Sequence, residues 1–132
     1  MRVIVAALCD HAAPGQNDKL NINGIFDIIW AEKFPTTHHH AYLALRLLFE
    51  YEDRNKKHTV EVVIENQDRA LARFEAEVEI GAIPPGVRIP VNHIFEFQQL
   101  VFERPDKFSI AILWDGEERQ RIPLDVALQT KK

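Results

Sequence analysis

The chain has 132 residues, 46% of them hydrophobic and 27% charged, and a formal net charge of -4. Those are the proportions of one ordinary globular domain that folds without disulfide or metal staples, and they exclude disordered, collagen-like and coiled-coil classes. Basic residues gather no further than the pairs Lys56-Lys57 and Lys131-Lys132, so nucleic acid is not an expected partner, and no apolar stretch is long enough to cross a bilayer.

Val3 to Cys9 reads as a first strand. The apolar run behind Arg2 resembles a short export signal, but a buried strand accounts for it better, with Cys9 as a small hydrophobe. A lone cysteine forms no intramolecular disulfide, which makes the cytoplasm the expected compartment. A polar loop, Asp10 to Lys19, leads into a longer strand, Leu20 to Ala31, expected to bend or meet close backbone at Gly24. Trp30 shares a parity with Ile28 and is expected to be buried. Pro35 then takes the chain out of the sheet.

From His40 onward, apolar residues recur at every second position. Leu43, Leu45, Leu47 and Phe49 share one face of a strand from His40 to Tyr51; Val60, Val62 and Ile64 share one in His58 to Glu65. Ala70 to Ile80 is the clearest case, with Ala72, Phe74, Ala76, Val78 and Ile80 against Arg73, Glu75, Glu77 and Glu79. Gly81 to Pro90, with its Pro-Pro-Gly, is a loop expected to cross between sheets. Val91 to Phe102 follows, its pattern shifting near Gln98-Gln99. Lys107 to Trp114 and a last strand carrying Ile122, Leu124, Val126 and Leu128 flank Asp115-Gly116, a hairpin signal. The sum is an all-β domain spanning residues 1–132, an antiparallel two-sheet sandwich of about eight strands with an immunoglobulin-like layout.

No catalytic or cofactor motif occurs. His38, His39 and His40 offer imidazoles, yet consecutive strand residues face opposite ways, so only His38 and His40 could share a metal. Asp10, Asp18, Asp27 and Asp53 lie near strand ends without the dense oxygen pattern of a local calcium loop. Ser109 sits mid-strand, and Cys9 is too close in sequence to His11 to face it as a nucleophile faces its base. Trp30, Trp114, Tyr42 and Tyr51 suit core packing better than a sugar platform. No metal or cofactor is assigned. Ile29, Leu48, Val63 and Leu113 occupy the parity opposite the core, and such a second apolar face calls for a cover, making these four the candidate interaction surface.

Leu8-Cys9-Asp10, the run LNINGIFDIIWA from Leu20, Phe34-Pro35, LALRLLFE from Leu43 and the closing FERPDKFSIAILWDGEERQRIPLDV, residues 102–126, together resemble a small bacterial family known as a domain of unknown function. The resemblance implies a compact all-β protein and supplies no activity and no functional residues. The expected function is non-enzymatic: a protein-binding or self-assembly module, with a protein partner or a second copy engaged through an apolar face or an exposed edge strand. The alternative is a small-molecule or carbohydrate-binding domain using the loops Asp10 to Lys19 and Gly81 to Pro90.

Overall fold

Alternating apolar and polar side chains build nine strands among the residues described, 1–130, by a computed structural model; the Lys131-Lys132 pair lies outside them. The strands are β1 (Arg2–Pro14), β2 (Leu20–Ile25), β3 (Ile28–Ala31), β4 (Thr36–Phe49), β5 (Lys56–Glu65), β6 (Ala70–Ile80), β7 (Ile89–Phe102), β8 (Asp106–Trp114) and β9 (Glu117–Leu128). They form two sheets, ordered β2-β1-β4-β7 and β3-β9-β8-β5-β6. Two short 3-10 turns, Gln16–Asp18 and Tyr51–Asp53, complete the secondary structure, and no helix among the described residues could cross a membrane.

The two sheets share one core. Leu43, Leu45, Leu47 and Phe49 from the first sheet meet Val60, Val62, Ile64, Ile110, Ile112 and Leu124 from the second, all fully buried. Aromatic contacts bridge the layers, with Phe49 and Trp114 at 5.3 Å, Phe74 and Phe97 at 4.6 Å, and Phe102 and Phe108 at 5.3 Å between ring centroids. Truncating a buried phenylalanine of this kind costs about 3–5 kcal/mol. The chain crosses between sheets after β6 and again after β7, so the Pro-Pro-Gly loop carries the crossover its composition suggested.

Three features differ from the sequence reading. The expected single strand from Leu20 to Ala31 is two strands in different sheets, which makes nine rather than eight. β3 runs parallel to β9, with Ile29 opposite Val126, whereas every other ladder is antiparallel. β1 continues to Pro14 because Ala12, Ala13 and Pro14 pair with β2, turning the first half of the expected polar loop into strand.

The crossover between β2 and β3 also reverses the expected parity. Ile29 and Ala31 face inward at 8% exposure, while Trp30 stands 59% exposed. Ile29 is therefore a core residue. Leu48 and Val63 are buried as well, and Leu113 is half-buried, so the four expected interface residues do not form an open apolar surface. Their cover comes from the chain itself. Arg73, Val63, Ala111 and Arg121 form one cross-strand row on the outer face of the second sheet, so an arginine, whose stem is suited to covering apolar surface, stands at each end of the apolar pair. Arg121 is fixed above it by Glu65 at 2.8 Å, Glu118 at 2.6 Å and Ser109. Leu48 lies between Arg2 and Pro90, and Glu50 pairs with both Arg2 and Arg88 nearby.

Gly24 is the tightest backbone approach. Its φ of +73° belongs to the left-handed region, and an added Cβ would lie 2.9 Å from Cγ of Asp10 and closer still to its Oδ2. Gly24→Ala is expected to lower unfolding stability by about 1–3 kcal/mol in urea denaturation. Combining it with Asp10→Ala is expected to recover part of that loss, since the clash is relieved and the backbone strain is not.

Candidate functional site

Besides the outer edges of β2, β7, β3 and β6, strand pairing leaves part of the interior strand β1 unpaired on one side. β4 flanks β1 from Arg2 to Cys9, but β2 flanks it only from Cys9 to Pro14. The last bond on the β2 side runs from the Phe26 N–H to the Leu8 carbonyl at 3.0 Å. Backbone polar groups alternate sides along a strand, so Ala6, two residues before Leu8, turns its N–H and C=O the same way. No described strand pairs with that side of Ala6. β1 also carries a bulge between Val3 and Val5, which pushes Ile4 outward to 51% exposure.

The opposing edge belongs to β9. There the Asp125 N–H donates to the Asp27 carbonyl at 2.8 Å, at the start of the β3 ladder. Pro123, two residues earlier, turns its ring nitrogen to the same side and has no N–H to offer. Between the two edges runs a groove of about 470 Å³, walled by residues 4–8 of β1 and by Gln120, Ile122 and Pro123 of β9, with residues 25–27 completing it. Ala6, Leu8, Phe26 and Ile122 tie its floor to the core, and Ile25 stands 68% exposed beside it. The groove therefore joins unsatisfied backbone to apolar surface.

The histidines take separate places. His38 is the direct partner of the core residue Leu100 and packs on Phe26 at 5.4 Å, whereas His40 partners Gln98 and lies against Tyr42 and Glu96. The positive φ of Gln99, +55°, lies opposite His39 and marks where β7 exchanges its inward parity, with Phe97 and then Leu100 and Phe102 entering the core. His38 and His40 thus have different surroundings, and no three His, Cys, Asp or Glu side chains among the described residues are grouped to hold a metal.

His58 looks chemically more promising, held by Asp115 at 2.6 Å and stacked on Trp114 at 4.5 Å. Its other ring nitrogen faces the Asp53 carbonyl at 2.9 Å, so neither nitrogen is open to a substrate. Asp53 also accepts from the Glu50 N–H and pairs with the Met1 ammonium at 3.0 Å, and Asp115 accepts from the Thr59 N–H. Partial burial would raise the Asp115 carboxyl, but the hydrogen bonds from His58 and Thr59 outweigh it and hold the group below its ordinary value. This network fastens the Tyr51–Asp53 turn and the Asp115-Gly116 hairpin to β5. Cys9 is fully buried with its thiol pushed up by desolvation, and the Ser109 hydroxyl accepts from Arg121. The four large aromatics share no platform: Trp114 is in the core, Trp30 on an edge strand, Tyr42 between His11 and His40, and Tyr51 beneath the Arg54 guanidinium.

Sequence reasoning missed the groove because an open edge is a property of pairing. Its one sequence signal is Pro123, a residue that blocks an edge.

His93 and His38 are both partly buried, and desolvation lowers each below the ordinary histidine value of 6.5. The unfolded chain then binds more protons than the fold below about pH 6.5, so stability is full above that pH and falls on acidification toward the depressed values. Thermal melting followed from pH 8 to 5 is expected to show this loss. His93→Gln is expected to flatten the decline.

No curated protein and no solved structure matches the chain. Its affiliation rests on residues 4–127, which match the family of unknown function DUF6941 and take in all nine strands in whole or in large part. The match extends over the groove and both sheets, and the chain belongs to that family.

Proposed function

We propose that the protein is a non-enzymatic binding module that takes an extended segment of a partner protein along the open edge of β1. The observation that carries this reading is the coincidence, in one groove, of an unpaired backbone edge at Ala6 with exposed Ile4 and Ile25 and a floor continuous with the core. An added strand satisfies the backbone groups by hydrogen bonding while its alternate side chains enter the apolar gap. Pro123 on the facing edge directs the partner to β1, because β9 offers no donor there.

The immunoglobulin-like layout belongs to the same proposal, and the strand orders β1-β4-β7 and β9-β8-β5-β6 are what support it. Absence of chemistry is supported by the sealed His58, the buried Cys9 and the occupied Ser109. A second copy of the chain is a specific form of the same proposal, since an open strand edge is complementary to itself about a two-fold axis.

Ala6→Pro removes the outward N–H and leaves the β4 ladder its bonds, so it separates edge pairing from folding. Peptides selected on the protein from a random linear library are expected to carry apolar residues at every second position and to lose about tenfold or more in affinity for Ala6→Pro, about 1.4 kcal/mol. Sedimentation across a concentration series reports the self-pairing form as a dimer that the same substitution dissolves. Peptides without alternation, or binding and assembly indifferent to Ala6→Pro, would overturn the reading.

A further inference from the structure

Seven of the nine arginines engage an oxygen acceptor in the fold: Arg2, Arg46, Arg54, Arg73, Arg88, Arg119 and Arg121. The other two, Arg69 and Arg104, line the same cavity of about 330 Å³. They come from different turns, at residues 66–69 before β6 and at residues 103–105 before β8, and both are exposed. The cavity's apolar lining is Leu71, Phe102 and Phe108, the last two in edge-to-face contact at 5.3 Å. Its rim also carries Glu103, which has no ion-pair partner among the described residues, and Asp106, whose carboxylate accepts among them from neutral amides alone, Asn66 at 3.0 Å and the Lys107 N–H at 2.7 Å. Opposite charges thus stand around one small cavity without pairing with one another.

We propose that this cavity binds a free α-amino acid with an apolar side chain. Its carboxylate meets the Arg69 and Arg104 guanidiniums, whose planar forks match a carboxylate's two oxygens. Its ammonium meets Glu103 and Asp106, and its side chain lies on Leu71 and the two phenylalanines. A ligand with one charge alone leaves the opposite rim groups desolvated and unpaired, so both poles are needed for affinity. The site is far in sequence from the β1 groove and owes nothing to the edge-pairing reading.

Isotope-labelled protein titrated with L-phenylalanine, 3-phenylpropionate and 2-phenylethylamine tests this by amide shifts at residues 66–71 and 102–108. Saturable shifts with L-phenylalanine in the millimolar range, each half-ligand weaker by about tenfold, are expected. Arg69→Gln with Arg104→Gln should abolish them while the remaining spectrum stays unchanged, both side chains being exposed. No saturation by L-phenylalanine up to about 10 mM, equal binding of 3-phenylpropionate, or binding that survives the double substitution would overturn the proposal.

Discussion

One dry interior shared by two sheets constrains every strand of this molecule. Side chains such as Phe49, Trp114, Phe74 and Phe97 meet across the layers, and a strand that slipped by one residue would turn its whole inward set into water. Large aromatics contribute several kcal/mol each to that interior, while typical domains are stable by only about 5–15 kcal/mol in total. Parity is therefore obligatory along the body of each strand. Departures survive only where backbone geometry restores the alternation on the far side.

Those departures locate the unusual surfaces. The bulge between Val3 and Val5 turns Ile4 outward, and the change of sheet at residues 26 and 27 ends β2 while β1 still runs beside β4. Ending one strand early exposes an edge, and joining β3 in parallel to β9 covers only the final residues of the facing one. The groove is the space left between. At the other end of β4 the inward parity changes at the level of His39 and of Gln99 with its positive φ, and there His38 is half-buried against Phe26 while His40 is exposed beside Tyr42.

The fold was legible where alternation was strict. Residues 72–80, the inward set Val60, Val62 and Ile64, and the Asp115-Gly116 hairpin stand where their pattern puts them, because period-two burial and positive-φ turn chemistry are local properties. Trp30 and Ile29 were not legible, since their orientation depends on which sheet β3 joins, and that is decided by pairing with β9, 97 positions away in the chain. The candidate interface failed for a related reason. Apolar residues on an outer parity announce a need for cover without saying what supplies it, and beside Val63 stands Arg73 of β6, with Arg121 of β9 at the other end of the same row.

That distinction sets what counts as a binding surface here. An apolar side chain beneath a long charged neighbour is already satisfied, for the stem excludes water and the head stays hydrated. The Arg121 head is further held by two glutamates, so opening that face would cost the ion-pair network as well as the packing. An unpaired N–H and C=O at Ala6, by contrast, find only water, and water exchanges readily for another strand's backbone. The unmatched charges of Arg69, Arg104 and Glu103 are in the same position, solvated and free to be engaged without breaking anything the fold uses. Surfaces left unfinished by the chain's own pairing, rather than surfaces rich in apolar residues, are where the proposed binding sites of this two-sheet protein lie.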